Sequence, residues 1–289
     1  MSEPAEELAE ELPAAGGAGT LHIVSTPIGN LGDMTFRAVE TLKSVSLVLC
    51  EDTRHSRRLL DHFGIRTPVA SYHEHNEAKE TPRVVSRLLG GDDVALISDA
   101  GTPLLSDPGQ RLVSAAVEAG VRVSPVPGAS ALLSALVASG ISADVFTFLG
   151  FLPRKGRERH TRLATLSALT CTGVLYEAPG RVGDTLAELA ELDAGDRRAV
   201  VAREITKQFE ELRRGTVREL GEYYREAPPR GEVVIVVEGR APLAIDEAAL
   251  RESARALRGQ GATTREIVRS LVERHGAPRN LAYRLAQDA

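Results

Sequence analysis

Tryptophan is absent from this chain, aromatic residues of every kind make up only 4% of it, and there are two cysteines and two methionines in 289 residues. So thin an aromatic set argues against base-stacking platforms as the main recognition device. Cys50 and Cys171 stand alone in apolar, strand-like surroundings, with no C-x-x-C and no disulfide framework, and read as small core residues. No run of about 18 apolar residues could span a bilayer, and the amino terminus lacks the basic-then-apolar pattern of a secretory signal. A cytoplasmic protein with no membrane partner is expected. The net charge is −5, so any nucleic acid must be held by local basic patches.

Several nucleotide and hydrolase signatures are also missing. There is no G-x-x-x-x-G-K-[ST] and no G-x-G-x-x-G, and the G-x-G matches at 17–19 and 259–261 lack the strand-then-helix context a dinucleotide site needs. The G-x-S-x-G elbow of a serine hydrolase would need glycine where Ala131 stands. Pro228-Pro229 is flanked by Ala227 and Arg230 rather than by the residues of an amine-methylating [ND]-P-P-[YF] motif. A cytosine C5 methylase would want a nucleophilic cysteine, and both cysteines here look buried.

The chain is instead organised around SDAGTPLLSDPG, residues 98–109, between the apolar run 94–97 and a helical pattern at Leu112, Val113, Ala116 and Val117. An apolar run, a glycine-bearing turn and a helix make a ligand cradle at the carboxyl end of a strand. Gly101 would let backbone approach a ligand closely, and Asp107, Pro108 and Gln110 read as N-cap, first helical residue and capping-box partner. An ordinary tight turn also uses Gly, Pro and Asp, but two Ser-Asp pairs around Gly-Thr-Pro exceed what a turn needs, which favours a binding loop.

Residues 1–19 hold five glutamates and no lysine or arginine and read as a disordered acidic tail. The pattern then alternates: strand 21–26 and a glycine-bearing loop, strand 45–50 ending in Glu51-Asp52-Thr53-Arg54-His55, strand 68–72 ending in His73-Glu74-His75, and strand 121–126 turning at Pro127-Gly128-Ala129-Ser130. Such alternation implies a mainly parallel sheet in a first α/β domain, 20–127. Surface capping accounts for Asp52 and Thr53 about as well as a site does, and metal ligation at His73 and His75 is the weaker reading, since no third ligand lies near. From 128 to 241 the strands crowd and alternate more, implying a mixed sheet in a second α/β domain. Here 199–207 reads as one strand, with Arg203, Ile205 and Lys207 on one face and Glu204 and Thr206 on the other. The cleft between the domains is the default site. After a linker at 240–245, residues 246–289 read as three helices: one capped by Asp246, one opened by a Thr263/Glu266 capping box and one opened by Pro278. Eight arginines against four acids over 251–289 give them a basic surface like that of a helix-turn-helix module, with a solvated charged face as the bland alternative.

With TPIGNLGDMT (26–35), CEDTRHS (50–56), SYHEHNE (71–77), SDAGTPLLSDPG, PVPGASA (125–131), FLPRKG (151–156), YEAPGR (176–181) and REITKQFEE (203–211) in this order, the chain over about 20–289 resembles the small-subunit ribosomal RNA ribose 2′-O-methyltransferases of the tetrapyrrole methylase superfamily. The resemblance implies two α/β domains, S-adenosylmethionine bound in the cleft between them, and a homodimer. It further implies methyl transfer to the 2′-hydroxyl of a cytidine in the decoding region of 16S rRNA, free or in the small ribosomal subunit. It places Gly101, Thr102, Pro103 and Leu105 along the cofactor, Ser130 and Ala131 on its other side, and Pro27 and Gly29 near the transferred methyl. Arg54, Arg154, Lys155 and Arg203 would contact phosphates. For the proton of the ribose hydroxyl the expected acceptors are Glu204, ranked first because its charged neighbours point away from it, then Asp52 and Lys207. The alternatives are a small-molecule methylase of the same fold, which so many basic residues disfavour, and a non-enzymatic RNA-binding assembly factor.

Overall fold

In the computed structural model, which describes residues 17–241 and 247–289, the first half alternates strand and helix as its hydrophobic periods dictate. Thr20–Val24 (β1), Leu47–Cys50 (β2), Val69–Ser71 (β3), Val94–Ile97 (β4) and Arg122–Val126 (β5) form one sheet in the order β3-β2-β4-β1-β5, every pairing parallel. β2 and β4 are buried at every position, as strands covered on both faces must be. Their apolar side chains feed two cores, one per face: Leu21, Leu49 and Leu96 pack with Leu112 on one side, and Val24, Val48 and Ile97 with Leu42 and Leu60 on the other. The covering helices are Phe36–Ser44 (α1), Thr53–His62 (α2), Glu77–Leu89 (α3) and Gln110–Glu118 (α4).

The second half makes the mixed sheet its closer spacing implied. Phe146–Phe151 (β6), Thr172–Glu177 (β7), Arg198–Arg203 (β8), Glu211–Thr216 (β9) and Val233–Val237 (β10) run in the order β6-β7-β10-β8-β9. Only β6 and β7 pair parallel, while β10 lies antiparallel between β7 and β8. One face is covered by Arg157–Ala168 (α6), Val182–Leu189 (α7) and Val217–Glu226 (α8), which bury Leu163, Leu166, Leu186 and Leu220 against it. Ala131–Ser139 (α5), which leaves the end of the first sheet, covers the other with Leu132, Ala135 and Leu136.

Two expectations are corrected here. The strand foreseen over 199–207 ends at Arg203, because Glu204 (φ 51°) and Thr206 (φ 68°) adopt left-handed backbone that no strand accommodates. β9 was not foreseen, since its Arg213 and Arg214 break the apolar alternation by which an edge strand is recognised.

Both sheets belong to one compact unit that runs to Gly239, and a second unit begins at Arg240. That second unit, described by itself, is three helices: Glu247–Gly259 (α9), Thr264–His275 (α10) and Arg279–Gln287 (α11). Ala254, Ile267, Leu271, Ala282 and Leu285 form its core, and the foreseen capping box is made, with Glu266 Oε2 accepting from the Thr263 amide at 2.8 Å. The Asp246 cap, most of the 240–245 linker and residues 1–16 of the acidic tail lie outside the described residues.

Candidate active site

Three loops leave the carboxyl ends of the neighbouring strands β4, β1 and β5, and short polar contacts tie them together. Thr26 and Gly101 exchange backbone hydrogen bonds of 2.9 and 3.0 Å, an isolated bridge between the first loop and the central one. The Thr26 hydroxyl donates to the Ser98 carbonyl at 3.2 Å, Ser25 and Thr102 hydroxyls meet at 3.1 Å, and Thr102 reaches the Ala129 carbonyl at 3.2 Å. Gly101 sits at φ 82°, and a Cβ there would stand 3.2 Å from Ile28 Cγ2, so glycine is what lets the two loops close.

The central loop coils more tightly than a capped turn. Leu104 and Ser106 both take φ 72°, and Gly109 takes φ 132° where a Cβ would press to 2.6 Å of Leu96 Cδ2. The result corrects the expected N-cap: α4 begins at Gln110 with Gly109 as its cap residue and no side-chain cap, so Asp107 serves no helix amide. Asp107 instead lines a cavity of about 390 Å³, with the central loop and α5's first turn on one side and β7, Ile205 and β10 on the other. Elements of both sheets therefore build one pocket, as the default cleft requires.

Four carboxylates line this cavity: Asp99, Asp107, Glu177 and Glu232. Glu177 is 2% exposed and held on both oxygens, by the Ala178 amide at 2.8 Å, the Thr185 hydroxyl at 2.7 Å and the guanidinium groups of Arg159 and Arg181. Glu232 accepts from Lys207 Nζ at 3.1 Å and is largely exposed. Asp99 accepts from the Asp52 amide at 3.4 Å. Asp107 has no ion pair among the described residues. Burial, followed by the charges of Glu51 and Asp99, pushes its carboxyl up to about 6, against a smaller opposing contact from the Ser98 side chain.

Of the eight residues expected along a cofactor, Gly101, Thr102, Leu105, Ser130 and Ala131 line the cavity. Pro27, Gly29 and Pro103 do not, although Ile28 between the first two does. Ser130 also N-caps α5, accepting from the Leu133 amide at 3.4 Å.

None of the three expected proton acceptors lines it. Asp52 is the N-cap of α2: its Oδ1 accepts from the Arg54 amide at 2.7 Å and the His55 amide at 3.3 Å, and these two bonds, in that order, hold it below the usual carboxylate range. Glu204 is not unpaired, because the left-handed turn brings Lys207 round to its own side and Nζ donates to Oε1 at 2.9 Å. That bond is the main cause of a lowered Glu204 pKa. Burial acts to lower the Lys207 pKa, but its bonds to Glu204 and Glu232 outweigh it and the result is raised, the opposite of a lysine base. Ile205, not Glu204, faces the cavity.

Among the expected phosphate contacts, Arg203 is paired with Glu211 at 2.7 Å, whereas Arg54, Arg154 and Lys155 stand exposed with no ion pair among the described residues. Cys50 is buried as expected, but Cys171 is only half-buried. Sequence reasoning missed Tyr176, Glu177 and Phe151, which sit on the cavity wall, and misread Asp107. The duplicated Ser-Asp pair was the signal for Asp107, obscured by the Asp-Pro that also reads as a helix start.

Residues 20–221 match the model of the tetrapyrrole (corrin/porphyrin) methylases. The chain is 50% identical to the ribosomal RNA small subunit methyltransferase I of Mesorhizobium japonicum, over 83% of this chain and 81% of that one, and 46% identical to that of Synechocystis sp., over 93% and 97%. It is 41% identical to that of Bacillus subtilis, over 92% and 93%. The chain belongs to the ribosomal RNA small subunit methyltransferase I family. Among solved structures, the tetrapyrrole methylase fold recurs in diphthine synthase, with a TM-score of 0.59 at 15% identity over 76% of this chain and 89% of that one. It recurs again in uroporphyrin-III C-methyltransferase from Thermus thermophilus complexed with S-adenyl homocysteine, with a TM-score of 0.55 at 18% identity over 76% and 97%. In this chain the blocks 26–35, 98–109 and 125–131 lie on three loops that touch one another at a single strand edge.

Proposed function

We propose that this protein transfers a methyl group from S-adenosylmethionine, held in the cavity beneath residues 98–109, to the 2′-hydroxyl of a cytidine ribose in the decoding region of 16S rRNA. Methylation of small-subunit ribosomal RNA is what the names of its relatives describe, and the acceptor atom and nucleotide are the finer part of the proposal. The observation that carries it is the cavity. Its volume, its largely apolar lining and its backbone approach at Gly101 suit a nucleoside with an apolar thioether arm. S-adenosylmethionine supplies an already electrophilic methyl, so this chain must align the acceptor and take its proton. Gly101, Thr102, Leu105, Ser130 and Ala131 would hold the cofactor, and the aromatic pair Phe151 and Tyr176, 5.4 Å apart at their ring centroids, closes the far wall.

Phosphate recognition falls to exposed cations. Arg54, Arg154 and Lys155 serve the larger unit, and in the second unit Arg265, Arg269 and Arg279 line one groove with Tyr283, which is 54% exposed. Each phosphate that a lysine or arginine neutralises adds about 0.7 to the slope of log affinity against log salt on single strands. Deleting residues 246–289 is therefore expected to weaken RNA binding and flatten its salt dependence while leaving cofactor affinity intact. An unchanged slope would assign the second unit another task.

A homodimer is the proposed assembly. α5 is apolar apart from Ser134 and Ser139, and its outer face leaves Leu133 50% and Val137 75% exposed after the inner face is packed. The proposed location is cytoplasmic, and no helix among the described residues is long and apolar enough to cross a membrane. Mapping 2′-O-methylation of small-subunit rRNA by primer extension, in a deletion strain with and without this gene restored, tests the function. A stop at one decoding-region cytidine that returns with the gene is expected. A small-molecule methylase would leave the map unchanged.

A further inference from the structure

The cavity's four carboxylates differ in what holds them. Glu177 is clamped by two arginines, Glu232 is paired with Lys207, and Asp99 accepts from a backbone amide, which leaves Asp107 as the one with no cation and no amide upon it among the described residues. Its placement there is built rather than incidental. Two non-glycine residues in left-handed backbone, Leu104 and Ser106, and a glycine at position 109 that tolerates no Cβ turn the loop so that Asp107 leaves the helix start and faces the cavity. Strain of this kind persists where the surrounding structure enforces it.

We propose that Asp107 is the proton acceptor of the reaction, a catalytic residue that hydrogen-bonds the ribose hydroxyl directly. The inference rests on the methyl-transfer reading given above and deepens it. As the hydroxyl oxygen's lone pair forms the new C–O bond, the C–S bond breaks and its electrons neutralise the sulfonium. The hydroxyl proton passes to the Asp107 carboxylate, which then releases it to water. The titratable groups acting on Asp107 are Glu51 beyond β2 and Asp99 beyond β4, and its charge is felt in turn by the Tyr176 phenol on β7. None of these is a cation, and only the hydrogen bond with the Ser98 side chain, outweighed by burial and the two acidic neighbours, favours the ionised form. With its carboxyl at about 6 it is ionised at neutral pH yet more basic than an ordinary aspartate, the balance a general base needs.

The test compares the full-length protein with Asp107→Asn and Asp99→Asn in three measurements. Calorimetry gives S-adenosylmethionine affinity, single-turnover methylation of small-subunit rRNA at saturating cofactor gives the rate from about pH 5 to about pH 9, and thermal unfolding over the same range gives a readout independent of activity. For Asp107→Asn the rate is expected to fall about 10²-fold or more with cofactor affinity little changed, and the acid limb of the wild-type profile should vanish. Asp99→Asn should keep that limb but move it to lower pH, since one of the charges raising Asp107 is gone. The Asp107→Asn protein should melt higher than wild type at pH 8, with the gap closing as pH falls.

A near-normal rate for Asp107→Asn would overturn the assignment, and so would a large loss of cofactor affinity with a normal rate at saturation, which would make Asp107 a cofactor clamp. If the wild type binds no S-adenosylmethionine, the methyl-transfer reading itself fails and takes the assignment with it. Binding with a normal Asp107→Asn rate leaves that reading intact and removes only the base.

Discussion

Residues 104–106 and 204–206 both carry left-handed backbone at non-glycine positions, and the two turns use it to opposite ends. In the first, the twist withdraws Asp107 from its helix and leaves it on the cavity wall with no counter-ion among the described residues. In the second, it folds Lys207 back onto Glu204 and Glu232, so that three charges satisfy one another and the lysine stem lies against Gly29, where a Cβ would meet it at 2.4 Å. The two carboxylates consequently titrate in opposite directions, Asp107 upward and Glu204 downward. Position at a strand's carboxyl end does not make a base. What decides is which charges the chain brings round to meet the carboxylate.

Removing carboxylates one at a time sharpens that contrast. The largest effect is expected at Glu177, the fully clamped one: Glu177→Ala takes the carboxylate from the Arg181 guanidinium and one of two from Arg159, whose side chain is 7% exposed, and should cost about 3 kcal/mol in urea unfolding. A loss near zero would mean that Glu188, also bonded to Arg159, satisfies it alone. Glu204→Gln should cost less than about 1 kcal/mol, because its partners are partly solvated, and should change the single-turnover rate by less than about 3-fold. Since its pKa is lowered in the fold, that stabilisation is present above the unfolded value and should disappear as the pH falls. A rate loss of about 10²-fold would restore Glu204 as the base and undo the distinction between the turns.

Asp107→Asn should have a similarly small effect on stability, and one of the reverse sign. A carboxyl raised from 3.8 to about 6 on folding penalises the native state only when ionised. The variant should therefore be more stable than wild type by about 1 kcal/mol above pH 6, after allowance for solvent screening, and the two should converge below the unfolded value. Denaturant midpoints at pH 8 and pH 4 would read this directly, and equal stability at pH 8 would mean that Asp107 is paired in solution.

Most of the architecture was legible because period and punctuation agreed. Buried runs such as 94–97 and 233–237 are read as strands without ambiguity, the Thr263/Glu266 box marked a helix start to the residue, and the change from well-spaced to crowded strands marked the change from a parallel to a mixed sheet. The site was legible at the level of loops and illegible at the level of side chains. Five of the eight expected cofactor residues line the cavity because a glycine turn after a buried strand places its neighbours reliably. Two carboxylates were misplaced, each for a local reason. Asp-Pro before an apolar period mimics a capped helix, and R-E-I-T-K mimics a strand whose alternation would separate Glu204 from Lys207. Only left-handed backbone at Leu104, Ser106, Glu204 and Thr206 reverses both readings, and none of these residue types announces it.

The methyl donor is proposed to bind in the cavity under residues 98–109. Isothermal titration of S-adenosylmethionine into the wild type and into Gly101→Val tests it most directly. At φ 82°, with Ile28 already 3.2 Å from the position of a Cβ, a branched side chain must push the two loops apart and enter the cavity. The wild type should bind at one site per chain, and Gly101→Val should bind at least 10²-fold more weakly, with its far-ultraviolet circular dichroism unchanged. Equal affinity in the two proteins would place the cofactor elsewhere.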